Sequence, residues 1–253
     1  MKLAMKLQAL FFGVLMLVNV ANAESPRGKL KQAASKPGET FRDCADCPEM
    51  VVIPAGSIEM ALPIAAGQKT TGSKHPATIS QSFAVGKTEV TQGQWKVIMG
   101  NNPSGFPKCG DDCPVERVSW NDAKEFIQKL NAKTGKQYRL PTEVEWEYAC
   151  RAGSSYEYCG SVTADSVAWY NSNSGGTTHP VGRKQPNAFG LYDMSGNVWE
   201  WVEDCYDSAC ANRVHRGGSW LNDPQISRVV QRVGDGPVIR FPSFGFRLAR
   251  TLP

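Results

Sequence analysis

The sequence predicts a domain of short helices and short strands joined by long irregular segments, and three observations carry that prediction. The chain of 253 residues holds 24 glycines and 16 prolines against only 21% charged residues, a composition of many turns and little long helix. Three segments open with helix-capping residues and close within a few turns. Elsewhere the β-branched runs are brief and interrupted by Pro, Gly, Asn or Ser.

Taken in order, residues 1–23, "MKLAMKLQALFFGVLMLVNVANA", set Lys2 and Lys6 before an apolar run that ends in Ala21-Asn22-Ala23. This is the pattern of a cleaved export signal, and the apolar core is shorter than the ~20 residues of a membrane span. The mature chain is expected to begin at Glu24 and to be periplasmic or secreted, without stable membrane insertion. Residues 24–46 are polar, rich in Lys, Pro and Gly, and read as a flexible segment leading into a domain over 47–253. Losing the two leader lysines takes the formal charge from +4 to +2, which gives no footing for nucleic acid.

"EMVVIPAGSIEM" reads as strand, turn and strand, and "ISQSFAVGKTEVT" continues the strand character. Thr91 caps a helix that Gly100 ends. Ser119, with Asp122 in the reciprocal position, opens a second helix with Ala123, Phe126, Ile127 and Leu130 on one face and Gly135 as its stop. Thr142 and Glu145 form a capping box for a third, with Gly153 as its expected left-handed terminator. From about residue 154 onward only brief strands fit.

Cys44, Cys47, Cys109, Cys113, Cys150, Cys159, Cys205 and Cys210 form an even set in four local clusters. In an exported chain disulfides are the first reading, with a redox "CADC" or a zinc site joining "CADC" to "CGDDC" as alternatives. Eight cysteines allow 105 connectivities, so the pairing stays open.

The ordered motifs "RLPTEVEWEYACRAG", "HPVGRKQPNAFGLYDMSGNVWEW", "RVHRGGSW" and "FGFRLAR" resemble the sulfatase-modifying factor family, the formylglycine-generating enzyme superfamily, from about Glu49 to Arg250. The resemblance implies one α+β domain of complex C-type-lectin-like topology, low in regular secondary structure. It also implies a calcium site on Asp193, the carbonyls of Gly196 and Val198, and Glu200, all hard oxygen donors. Trp199 and Trp201, two apart in extended chain, are expected to share one buried face. Gly217 and Gly218 suit a bulge or close backbone approach, and Arg216 and Arg247 suit internal clamps on acids or carbonyls.

Enzymes resembling this chain carry R-G-G-S-[YW]-x-C-x-x-x-x-C, two thiols that bind copper. Here Asn222 and Ser227 stand at those places, and no cysteine follows Cys210. Neither side chain offers a soft thiolate, so formylglycine generation is not expected, nor is copper. Iron is not expected either: His75, His179 and His215 show no H-x-x-x-H spacing, and the added helical domain of iron-using relatives is missing.

The segment after Trp220 resembles the ligand-facing region of binding members of the family. By that likeness Leu221, Asn222, Asp223, Gln225, Ile226, Val233 and Asp235 line a recognition surface for an unknown protein or small-molecule ligand, while Arg228, Arg232, Arg240 and Arg247 hold the scaffold. The expected function is an exported, non-catalytic binding or accessory module. The alternatives are an oxidative enzyme of variant mechanism, maturing a protein or secreted metabolite, and a part of a larger assembly.

Overall fold

The computed structural model describes residues 36–61 and 74–252. The expected export signal and residues 24–35 lie outside them. Eleven strands are present among the described residues: β1 (Thr40–Phe41), β2 (Met50–Ile53), β3 (Gly56–Ala61), β4 (Lys74–Ile79), β5 (Phe83–Gly86), β6 (Tyr138–Arg139), β7 (Trp199–Cys205), β8 (Arg213–Arg216), β9 (Arg232–Asp235), β10 (Phe244–Phe246) and β11 (Ala249–Thr251). Helices α1 (Gln92–Met99), α2 (Trp120–Thr134), α3 (Glu143–Arg151) and the single turn α4 (Ala164–Val167) complete the regular structure.

The three helices expected from their caps form where the caps place them. Thr91, Ser119 and Thr142 each accept from the backbone N–H three residues on, and Gln94, Asp122 and Glu145 return the bond to the cap residue's own N–H. Gly100 and Gly135 take the left-handed conformation that ends α1 and α2. At the end of α3 that role falls to Ala152, at φ 45°, rather than to Gly153, which follows at φ 80°. Consecutive residues thus share the reversal, and the Cβ of Ala152 is tolerated at the first.

Strands of the first sheet lie in the order β1-β2-β5-β11-β6, all antiparallel. Met50, Ala84 and Leu248 face a core with Trp95 of α1 and Phe126 and Leu130 of α2; Val51, Ile53 and Val85 face a second core with Trp146 of α3. A sheet covered on both faces explains why β2 and β5 read as unbroken apolar runs rather than as alternating ones. The strands flanking Pro54-Ala55 do not form a hairpin with each other: β2 joins the first sheet, and β3 pairs with β4. A third sheet, β10-β7-β8-β9, contains one parallel pair, β10 with β7.

Residues 36–46, expected to be flexible, are instead held in the fold. Thr40 and Phe41 pair with β2, and the Gly38 N–H donates to the Val52 carbonyl at 2.8 Å. Asp43 then accepts from Tyr138 Oη at 2.5 Å and faces Arg250 Nε at 3.2 Å. Strand pairing and an ion pair therefore outweigh the polar composition of residues 36–46. All eight cysteines form local disulfides: Cys44–Cys47, Cys109–Cys113, Cys150–Cys159 and Cys205–Cys210. That leaves no thiolate for the zinc alternative.

Candidate functional site

The segment Asn187–Val198 coils tightly because its polar side chains bond its own backbone. Asn187 Oδ1 accepts from the N–H groups of Phe189 and Leu191, while its Nδ2 donates to the carbonyls of Ala149 and Cys150 at the end of α3. Gly190, Asp193, Gly196 and Asn197 all take positive φ. At Gly196 a Cβ would lie 2.3 Å from the Trp169 carbonyl oxygen, so glycine is required there twice over. Asn197 then ties three segments together: its Oδ1 accepts from His179 N, its Nδ2 donates to Glu89 at 2.8 Å, and its carbonyl accepts from Trp220 N.

Beneath this coil lie four charged side chains, Glu89, Asp193, Glu200 and Arg247, each at most 2% exposed. Arg247 donates to Glu200 through Nη2 at 2.6 Å and Nε at 2.7 Å, and Trp146 Nε1 adds a third bond at 2.6 Å. Glu200 Oε2 thereby receives two donors and Oε1 one, leaving a single lone-pair direction free. Asp193 Oδ2 accepts from Gly182 N at 2.7 Å, whereas its Oδ1 is buried with no partner. Burial, and to a lesser degree the neighbouring carboxylates, hold Glu89 well above the usual carboxylate range; burial also pushes Asp193 up to about 6. Three acids thus surround one guanidinium, and a proton or a cation is needed for balance.

The two tryptophans of the segment share one buried face, as expected for residues two apart on a strand. His215 lies against both at ring separations of 4.9 Å, with Phe244 at 4.5 Å. His215 Nε2 donates to Asp235 Oδ2 at 2.7 Å, yet burial outweighs this carboxylate and holds the imidazole below the usual histidine range. It is therefore a neutral core histidine. His179 stacks on Trp169 at 3.8 Å and donates through Nε2 to the Ser174 carbonyl. Among the described residues no three His, Cys, Asp or Glu side chains converge as a metal site.

After β8 the chain passes through Gly217 (φ 96°) and Gly218 (φ 76°) to the positions where related enzymes carry their cysteine pair. A Cβ on Gly218 would lie 2.4 Å from Ser227 Oγ and 2.8 Å from its Cα, which is the close approach expected of this glycine pair. Ser227 is buried in a short 3-10 turn, its Oγ without a partner. Asn222 Oδ1 accepts from Ser219 Oγ at 2.7 Å, and its carbonyl accepts from Asn171 N. Both residues thus serve the turn itself.

The seven expected surface residues divide. Leu221 is 58% exposed, and Asp223, Gln225 and Val233 are also exposed. Ile226 instead packs against the core, Asn222 braces the turn, and Asp235 is held by His215. Leu221 to Ile226 belong to one turn, whereas Val233 and Asp235 sit on the edge strand β9. Of the arginines expected to hold the scaffold, Arg232 and Arg247 form largely buried pairs with Glu143 and Glu200, whereas Arg228 and Arg240 pair with Glu157 and Asp122 at the surface. Arg216 clamps Glu143 and Glu147 at 2.8 Å each. Sequence reasoning missed Asn171, whose Nδ2 donates to Asp223 at 2.5 Å, since no local pattern joins residues 52 apart.

Comparison with known proteins shows the family and the fold. The chain is 33% identical to Chaperone protein LppX of Paenibacillus barcinonensis, over 64% of this chain and 77% of that one. It is 37% identical to Inactive C-alpha-formylglycine-generating enzyme 2 of Bos taurus, over 54% of this chain and spanning only 50% of that protein. Proteins named Formylglycine-generating enzyme match over the same share, 54% of the chain. Among solved structures, PvdO from Pseudomonas aeruginosa superimposes with a TM-score of 0.75 at 34% identity, covering 87% of this chain and all of that one. Residues 36–252 match the Sulfatase-modifying factor enzyme 1-like domain, and the chain belongs to that family.

Proposed function

We propose that the protein is a non-catalytic binding or accessory module on this family's scaffold, presenting its ligand surface after Trp220. One observation carries the reading: at the two places where related enzymes hold copper with thiolates stand Asn222 and Ser227, one bracing a turn and the other buried within it. The outward side chains of Leu221, Asp223, Gln225 and Val233 supply the mixed apolar and polar character of a recognition surface. Similarity to proteins named as a chaperone and as an inactive enzyme supports the same reading.

Export to the periplasm or beyond is part of the proposal. Four disulfides suit an oxidising compartment, and no helix among the described residues is long and apolar enough to cross a membrane. Calcium is a further part. The unpartnered Asp193 Oδ1 fits an oxygen-seeking cation, and Glu200 keeps one lone pair unused by its bonds to Arg247 and Trp146. Gly196 and Val198 would add backbone carbonyls.

The test is elemental analysis of the purified mature protein, combined with oxygen consumption in the presence of a thiol peptide. Calcium alone, or no metal, with no oxygen uptake is the expected outcome. Copper or iron at one atom per chain, with turnover, would replace this reading with the variant oxidative enzyme.

A further inference from the structure

We propose that a recess between the Gly105–Cys109 loop and Thr177–Thr178 is a site for a small ligand with an apolar body and a carboxylate, received by Arg117 and Lys108; this deepens the binding-module reading and rests on it. The recess encloses about 510 Å³ and is lined by Gly105, Phe106, Pro107, Lys108, Cys109 and the two threonines. That volume suits a small molecule rather than a protein surface.

Its walls are fixed before any ligand arrives. The Phe106 ring meets Trp220 edge-on at 5.2 Å, and its N–H donates to the buried carboxylate of Glu116 at 2.9 Å. Gln92 Nε2 donates to the Phe106 carbonyl, and Glu116 N donates to Ser104 Oγ. The Cys109–Cys113 disulfide closes the far end of this loop, with Cys109 Sγ 3.3 Å from the Thr178 carbonyl oxygen. Across from it, Ser174 Oγ donates to the Trp220 carbonyl and Val181 N to the Asp112 carbonyl, anchoring both ends of the threonine wall. A preformed cavity spares a ligand the entropy of ordering loops.

Charge on Lys108, in the lining, and on Arg117, against the lining residue Gly105, selects the ligand. Arg117 is exposed, holds a left-handed backbone at φ 58°, and lays its guanidinium against Gly105: a Cβ there would sit 2.9 Å from Nε and 3.0 Å from Cζ. Arg139, Arg151, Arg216, Arg232 and Arg247 all face carboxylates in the fold. The guanidinium of Arg117, by contrast, makes no hydrogen bond or ion pair among the described residues, although it offsets at longer range the buried Glu116 carboxylate, and the ammonium of Lys108, which lines the recess, makes none either. A merely solvated arginine does not need a backbone conformation costly for a side chain of its size. An unused planar donor beside an apolar cavity matches a carboxylate on an apolar body.

The experiment titrates the purified mature protein with naphthalene-1-carboxylate and with its neutral counterpart, naphthalene-1-carboxamide, by calorimetry. The carboxylate should bind saturably, one per chain, about fivefold more tightly than the amide. Arg117→Asn keeps a residue tolerant of the left-handed backbone and should narrow the gap between the two affinities by weakening only the carboxylate, Lys108 remaining. Thr177→Trp should fill the recess and weaken both, with thermal melting confirming that each variant folds. Absent saturable binding, equal affinities in the parent protein, or an equal loss of both probes in Arg117→Asn would overturn the assignment. Finding one copper or iron per chain would overturn the binding-module reading separately, since it leaves the carboxylate preference of the recess as measured.

Discussion

Two stretches of contrasting composition, Asn187–Glu203 with its tryptophans and acids and Leu221–Phe241 with its arginines and prolines, are used in opposite ways. In the first, almost every polar group turns inward: Asn187 and Asn197 bond backbone, and Glu200 is locked to Arg247 and Trp146. The second keeps its arginines for the scaffold but leaves Leu221, Val238 and Phe241 more than half exposed. The difference teaches that the conspicuous motif of tryptophans and acids is the framework, while the plainer segment faces whatever the protein meets.

Breaking the framework should give the largest effect. Arg247→Met strands Glu200 in a site with no exposure and is expected to cost about 3–5 kcal/mol in denaturant unfolding. If calcium completes the cluster of acids, adding ion at a hundred times its Kd should raise stability by about 2.7 kcal/mol over chelated protein. Unchanged melting after full metal removal would strike calcium from the proposal. Gly218→Ala places a methyl on the Ser227 backbone at a left-handed position and should cost about 1–3 kcal/mol. Ser227→Ala should be near neutral, since its hydroxyl has no partner to lose.

A smaller effect should appear on acidification. Because burial depresses the pKa of His215 in the folded state, its contribution is present above the unfolded histidine pKa and is lost as pH falls through the folded value. His215→Gln should flatten that acid limb of a melting-temperature profile; an identical slope would show that His215 is not its source. Smallest of all, Leu221→Ser and Gln225→Ala should each change stability by less than about 0.5 kcal/mol. A loss beyond 1 kcal/mol in either would move that residue from the surface into the framework.

Local chemistry made part of this legible from sequence. Thr91, Ser119 and Thr142 fixed where helices begin because a cap acts within three residues, and clustered cysteines paired with their nearest neighbours. Long-range pairing was not legible. Nothing near Glu200 announces that Arg247, 47 residues on, takes most of its bonding capacity, or that β10 runs parallel to β7. The site was hidden for the same reason: Arg117 gains its meaning from Gly105 and from a cavity wall contributed by Thr177 and Thr178.

The position of β11 bears on how the chain can be made. It lies between β5 and β6, so β6 has no strand to pair with until residues 249–251 arrive. A chain delivered N-terminus first, from a ribosome or through a translocation pore, must wait for Ala249 of one core and for Leu252, which packs against the other. The non-local pairing of β11 with β5 and β6 therefore closes late, and a form stopping short of Ala249 would leave β6 unpaired and one edge of β5 open.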